Sequence, residues 1–145
     1  MRRDDEGRRE DAARVKAALR AFADTWSAGQ LDEMMGHWDS RDGEALTYVG
    51  VDKDELLVGF EAIQTYFHGV AGAGYQVLGA EMTEPTLRFL GEDRVYAMCH
   101  YIWHCQVGAL KFTTKTRATF VLRRRDERWY YQQMHESVKW GGPVV

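Results

Sequence analysis

Alternation of apolar and polar residues through the second half of the chain is the feature that most limits its fold. From Tyr75 onward the side chains change character at every second position, which is the period of a β-strand. Short turn-like segments divide this region into four predicted strands, at about 75–90, 94–107, 111–123 and 128–138. Pro85 should mark a bulge or an exposed edge, because it cannot donate a ladder hydrogen bond. The pattern predicts a long antiparallel sheet.

Three helices are predicted before this sheet. After Asp11, apolar residues recur at helical spacing from Val15 to Trp26, and Gly29 ends the pattern. A short second helix ends near Trp38, and a third begins after Gly59 with the sequence FEAIQTYFHGVAG. Two short strands, ALTYVG (45–50) and ELLV (55–58), lie between the second and third helices. Helices followed by strands predict an α+β fold, with the helices on one face of a curved sheet.

Composition excludes several classes of function. The 145 residues suit one domain, which we place at 11–140 after a charged tail at 1–10. That tail is either the frayed start of the first helix or disordered. Lys and Arg number 19 against 22 Asp and Glu, a net charge of −3 that argues against nucleic-acid binding. The sequence contains no apolar run of about 20 residues, nor a secretory signal, so we expect a cytoplasmic protein that binds no membrane. Zinc-ligand spacing is also absent from the sequence, and we expect no metal and no cofactor.

The parity of the last two strands predicts a buried carboxylate. In 111–123 the even-numbered residues, which include Phe120, are the more apolar set and should face the core. We interpret 124–128 as a three-residue loop with a bulge, which keeps even residues beside even ones. Tyr130, Gln132, Met134 and Glu136 then line the inside, with Thr116 opposite Glu136. A carboxylate walled by apolar groups can act as a general acid or base. The alternative is a Glu136 at the pocket mouth, solvated or paired with an arginine.

The strand at 94–107 can face the pocket in two ways. A strict two-residue turn at Gly108-Ala109 would turn its odd-numbered residues inward. A longer or bulged turn would turn in the even-numbered set, including Tyr96, His100 and His104. We predict the even set, because an apolar pocket needs a few polar groups to act on a ligand. On the odd interpretation both histidines lie on the outer face or in a dimer interface.

The order of elements and several motifs resemble the SnoaL-like branch of the NTF2-like superfamily. The matching residues lie along most of 11–138 and include G-x-x-A-I-x-x-Y-F at 59–67, Gly91, Asp93 and Ala97 at a strand entry, Arg117 and Thr119, and W-x5-H-x-S at 129–137. The resemblance implies a cone in which three helices pack on a curved, mostly antiparallel sheet and cap a pocket. It also implies many chemistries, from polyketide cyclases and dehydratases to noncatalytic modules, so fold alone does not decide function.

Two groups of candidate site residues follow from this resemblance. Tyr48 lies near the position where family members place a catalytic or ligand-orienting group, although it could simply pack against the third helix. The sequence lacks the aspartate pair of the ketosteroid isomerases, which argues against steroid isomerisation. Five aromatic residues could form the wall that receives a flat or prenyl-like ligand, or could belong to the core: Trp26, Trp38, Tyr66, Phe67 and Trp103.

We therefore carry two hypotheses. The first is a cofactor-free enzyme on a small hydrophobic or aromatic natural-product intermediate, with Glu136 and His104 as the acid–base pair and Tyr48 orienting the substrate. The reaction would be epoxide-opening cyclisation, isomerisation or dehydration. The second is a noncatalytic ligand-binding or oligomerisation module, since W-x5-H-x-S also resembles the association domain of calmodulin-dependent kinases. Either protein should form a homodimer, because one face of a large sheet would otherwise stay exposed.

Overall fold

A computed structural model describes residues 4–139 and has the predicted α+β architecture. Its helices are α1 (Asp5–Ser27), α2 (Leu31–Gly36) and α3 (Phe60–Gly72), with a 3₁₀ helix at Ser40–Ala45. Its strands are β1 (Thr47–Val49), β2 (Leu57–Val58), β3 (Tyr75–Met82), β4 (Thr86–Phe89), β5 (Arg94–Val107), β6 (Leu110–Arg125) and β7 (Arg128–Ser137). The third helix has the bounds that the sequence predicts.

The strands form one mixed sheet in the order β2-β1-β7-β6-β5-β3, with β4 also pairing with β5. Among the described strands, β1 and β7 are the one pair that runs parallel, and the other pairs are antiparallel. The long hairpins of β5, β6 and β7 form its centre, and the helices cover one face, which we call the concave face. The prediction of a curved, mostly antiparallel sheet capped by three helices is confirmed.

Helix α1 starts earlier than the sequence predicts. The Asp4 carboxylate accepts a 2.7 Å hydrogen bond from the backbone N–H of Gly7, which caps the helix. Arg8 then lies over the ring of Phe89, 4.2 Å from its centroid. Residues 5–10 of the predicted tail therefore belong to α1. Residues 1–3 of that tail, and residue 140 at the predicted end of the domain, lie outside the described residues.

The predicted strand at 75–90 is interrupted. It is divided into β3 and β4, and Pro85 lies in the break at the sheet edge, as predicted. There the side-chain hydroxyl of Thr83 accepts a 2.9 Å hydrogen bond from the His100 N–H, in place of a backbone carbonyl. The break and a register shift between Val77 and Gly79 bend this edge of the sheet.

Phe22 of α1 is the centre of the core. Its ring centroid lies within 6.0 Å of those of five other aromatic residues, which are Phe67, Tyr101, Trp103, Phe120 and Tyr131. Tyr101 and Tyr131 also fix α1 to the sheet, because their hydroxyls donate hydrogen bonds to backbone carbonyls of that helix. None of the helices within residues 4–139 has the length and apolar character needed to cross a membrane.

Candidate active site

A cavity of about 480 Å³ opens between the helices and the concave face of the sheet. This volume lies in the range of small-molecule sites. The cavity is not filled by side chains, although its wall is mainly aromatic. Its lining residues are Phe22, Trp26, Tyr48, Val51, Asp52, Tyr66, Phe67, Val70, Tyr75, Trp103, Phe112, Thr113, Thr114, Thr116 and Glu136.

Glu136 is the buried carboxylate of this cavity. Glu136 is 8% exposed, and its Oε2 atom accepts two hydrogen bonds. One comes from the Thr116 hydroxyl at 2.6 Å and the other from the Trp103 indole N–H at 3.0 Å. Within the described chain, Oε1 accepts none. Two fixed donors therefore orient the carboxyl group and leave one oxygen available to a ligand.

The surroundings of Glu136 raise its pKa above the ordinary glutamate value. Burial is the largest cause, because it penalises the charged form, and the nearby charge of Asp52 acts in the same direction. The hydrogen bonds from Thr116 and Trp103 act in the opposite direction but do not cancel the effect of burial. A carboxyl group with a raised pKa can both accept and return a proton near neutral pH.

Tyr48 and Tyr66 form a second polar group on the cavity wall. The Tyr66 hydroxyl donates a hydrogen bond to Asp52 Oδ1, and the ring centroids of Tyr48 and Tyr66 lie 5.2 Å apart. Gly50 leaves room for this pair, because a Cβ atom there would lie 3.0 Å from the Tyr48 hydroxyl and 3.1 Å from the Tyr66 hydroxyl. Tyr66 thus contacts both the exposed Asp52 and the buried Tyr48.

Both phenols are held in their neutral form. Burial raises the pKa of Tyr48 well above its ordinary value, and the charge of Glu136 raises it further. Burial also raises the pKa of Tyr66, and the hydrogen bond to Asp52 adds to this shift. At neutral pH the pair can therefore donate hydrogen bonds to an oxygen atom of a ligand but does not supply a phenolate base.

The register of β6 and β7 decides where Glu136 points. A two-residue turn at 126–127 pairs Arg125 with Arg128 and brings Trp129 and Tyr131 to the concave face. A β-bulge then shifts the register, because Val121 pairs with Gln133 while Leu122 pairs with Tyr131. Beyond the bulge, Met134 and Glu136 are the buried residues. Strict alternation without the bulge would turn Glu136 to the other face.

Comparison with known proteins gives the family. A sequence model described as a SnoaL-like domain matches residues 15–140, most of the chain. The chain belongs to the SnoaL-like family. No curated protein matches it significantly.

Solved structures of the NTF2-like family share the fold of this SnoaL-like domain. A provisionally assigned dehydratase from Streptomyces avermitilis is 16% identical, with a TM-score of 0.77 over 90% of this chain and 98% of that one. A provisionally assigned scytalone dehydratase from Novosphingobium aromaticivorans is 7% identical, with a TM-score of 0.78 over 93% and 88%. A type 2 hexachlorocyclohexane dehydrochlorinase is 14% identical, with a TM-score of 0.77 over 98% and 94%. At these identities the likeness shows the fold alone.

The prediction that His100, His104 and Tyr96 face the pocket is wrong. The turn at Gly108-Ala109 has two residues, with Val107 opposite Leu110, so the odd-numbered residues of β5 face inward. His104 lies on the convex face, where its ring bonds to Glu81 at 2.7 Å and to Thr113 at 3.1 Å. Trp103 occupies the inward position instead. His104 therefore cannot be the partner of Glu136 in the cavity.

The prediction for the inner face of β7 was partly wrong. Tyr130 and Gln132 do not belong to the buried set, because the bulge lies within β7 rather than in the turn. Thr116 is also not the direct cross-strand partner of Glu136. That partner is Ala118, and Thr116 reaches the carboxylate diagonally. Glu136 nevertheless lines the cavity. The two-residue turn pairs even-numbered residues of β6 with odd-numbered residues of β7, and the bulge then restores the pairing of even with even residues.

The predicted substrate-binding residues are divided between wall and core. Trp26 and Phe67 line the cavity, with their ring centroids 5.3 Å apart. Trp38, Phe120 and Met134 are 1% exposed or less and lie behind the lining, so the prediction that they contact a ligand is wrong. Apolar side chains have the same sequence pattern in a cavity wall and in the core behind it, so the sequence could not distinguish the two positions.

Asp52 and Tyr75 are lining residues that the sequence did not predict as site residues. Asp52 lies in an irregular segment where no periodicity predicts its direction. Tyr66 and Trp103, which the sequence offers as candidates for the aromatic wall, both line the cavity.

Proposed function

We propose that this SnoaL-like domain is a cofactor-free enzyme that transfers protons on a small hydrophobic or aromatic molecule. The observation that carries the proposal is Glu136, buried in an open aromatic cavity with Oε2 held by two donors and Oε1 unbonded within residues 4–139. A noncatalytic module has no need of a carboxyl group whose desolvation costs free energy without a compensating positive charge.

Glu136 is the proposed acid–base group. As a carboxylate it removes a proton from carbon through Oε1, and as an acid it returns a proton to an oxygen or carbon atom of the substrate. Its raised pKa makes both states accessible near neutral pH. No histidine lies among the described lining residues, so Glu136 acts without one.

Tyr48 is the proposed orienting group. Its neutral hydroxyl donates a hydrogen bond to the substrate oxygen that gains negative charge or leaves, and Tyr66 and Asp52 hold it in place. In a dehydration, Glu136 takes the proton from the carbon next to the departing hydroxyl, and the tyrosine pair hydrogen-bonds the substrate oxygen on which negative charge develops. The C–O bond then breaks as Glu136 gives the same proton to the departing hydroxyl, which leaves as water and returns Glu136 to the carboxylate. Isomerisation and epoxide-opening cyclisation need the same two functions.

The proposal is tested by the Glu136→Gln variant. Purified protein is incubated with aromatic β-hydroxyketones, allylic alcohols and epoxides, and products are followed by mass spectrometry. We expect turnover to fall by about 10²–10⁴-fold in the variant while its circular dichroism spectrum is unchanged. Glu81→Gln is the matched control, because Glu81 lies on the convex face beside His104. Full activity of Glu136→Gln would refute Glu136 as the acid–base group, and absence of turnover in the wild type would leave ligand binding without catalysis as the function.

We also propose that two copies pair through the convex face of the sheet. Tyr96 and Met98 support this, since they are 36% and 45% exposed on neighbouring outward positions of β5. Light scattering after size-exclusion chromatography should give the dimer mass for the wild type and the monomer mass for Tyr96→Glu/Met98→Glu. Leu56→Glu, an exposed loop control, should remain dimeric.

A further inference from the structure

The wall of the cavity carries negative charge without a positive counterpart. Two carboxylates line it, the buried Glu136 and the exposed Asp52, whereas its described lining residues include no lysine, arginine or histidine. The two are close enough for Asp52 to raise the pKa of Glu136. A carboxylate, phosphate or sulfate on a ligand would find no positive partner here, whereas a positive charge would be attracted to the exposed Asp52.

Asp52 has an oxygen atom available for a ligand. Its Oδ1 accepts the hydrogen bond from Tyr66, while Oδ2 accepts none from the described residues. Asp52 also forms no ion pair within residues 4–139, although Lys53 follows it. The segment at 51–56, VDKDEL, contains three acidic residues and one lysine, so the surroundings of Asp52 are acidic.

An aromatic ring contacts this carboxylate, and further rings continue from it along the cavity wall. The Tyr66 hydroxyl bonds to Asp52, and the ring centroid of Phe67 lies 5.2 Å from that of Tyr66 and 5.3 Å from that of Trp26. The faces of such rings attract an organic ammonium group, most strongly when water is excluded. A carboxylate in a cavity with an aromatic wall is a combination that suits a protonated amine.

We propose that the cavity binds an apolar or aromatic molecule that carries a protonated amine, with the ammonium group against Asp52 and the apolar body against the aromatic wall. This inference rests on the proposed function only in using the same cavity. Asp52 rather than Glu136 is the amine's partner, because Glu136 is buried and two fixed donors already hold its Oε2. Glu136 stays free for proton transfer elsewhere on the molecule.

Three ligands with the same indole ring test the charge preference by titration calorimetry. Tryptamine carries an ammonium group, tryptophol a neutral hydroxyl and indole-3-propionate a carboxylate. We expect tryptamine to bind at least about tenfold more tightly than tryptophol, and indole-3-propionate to show no saturable binding. Equal affinity for tryptamine and tryptophol, preference for the acid, or no binding of tryptamine would overturn the proposal.

Variants then locate the ammonium group. Asp52→Asn should remove the preference for tryptamine over tryptophol, whereas Asp54→Asn, two positions along the same segment, should keep it. An Asp52→Asn protein that still prefers tryptamine would refute the assignment to Asp52. The Glu136→Gln protein separates the two proposals. If its turnover persists while the amine preference holds, the proposed function fails alone, and if turnover is lost but no amine preference exists, this inference fails alone.

Discussion

The Thr116 hydroxyl donates a 2.6 Å hydrogen bond to Glu136 Oε2, and both residues are at least nine-tenths buried. The same hydroxyl accepts a 3.1 Å hydrogen bond from the indole N–H of Trp103, which also bonds to Oε2. Three side chains from β5, β6 and β7 therefore form one closed polar cluster in an aromatic wall. This cluster stabilises the charged form of a carboxyl group that burial alone would keep protonated.

Removing the Thr116 hydroxyl should raise the pKa of Glu136 further. Thr116→Val keeps the shape of the side chain but removes a donor that stabilises the carboxylate. Titration of a ¹³C-labelled Glu136 carboxyl by NMR measures the change, and the alkaline shift should also appear in the acidic limb of the pH profile, because Glu136 first acts as a base. Thr114→Val is the control, since Thr114 lines the cavity and makes no hydrogen bond to Glu136. An unchanged titration in Thr116→Val would contradict the role of this hydrogen bond.

Removing the charge of Asp52 should have the opposite effect. The Asp52 carboxylate raises the pKa of Glu136, so Asp52→Asn should lower it. The same NMR titration measures the shift, with Asp54→Asn as the matched control. If Glu136 titrates at the same pH in Asp52→Asn and in the wild type, the two carboxylates do not interact.

Gly50→Ala should impair the tyrosine pair with little effect on folding. The added Cβ would meet both hydroxyls at about 3 Å and displace them by a few tenths of an ångström. Because small displacements of an orienting group are costly in catalysis, turnover should fall about tenfold or more. The melting temperature should change by only a few degrees, roughly the effect of 1 kcal/mol. Gly36→Ala, at the end of α2 with nothing within 4 Å of the added atom, should leave turnover unchanged.

The charge on Glu136 should cost stability as the pH rises. Its pKa in the folded protein lies above the value of about 4.3 in an unfolded chain, so folding favours the protonated form. The resulting stabilisation is complete below about pH 4 and is lost as the pH rises from there through the folded pKa. Urea denaturation should show the stability of Glu136→Gln relative to wild type increasing over this interval. A pH-independent difference between Glu136→Gln and the wild type would contradict the raised pKa.

Local sequence determined the elements of this fold. The apolar spacing after Gly59 predicts the bounds of α3, and the alternation after Tyr75 predicts the three long central strands within a few residues. Pro85 marks the break in the edge strand, because it lacks the N–H that a ladder requires. These features depend on residues near one another in the chain, so their physical cause can be inferred from the sequence.

The facing of the strands depended on tertiary structure. A one-residue change in register moves a side chain to the opposite face of the sheet. One undetected bulge or turn therefore reverses the predicted face of every later residue in that strand. The two-residue turn after Val107 placed Trp103 rather than His104 at the cavity, and the turn and bulge around β7 together brought Glu136 inside. The position of Asp52 beside Tyr66 follows from the packing of an irregular segment against α3, for which no local pattern exists. The sequence by itself thus determined which elements form and which groups are available, whereas only long-range pairing and packing decided which of them share the cavity.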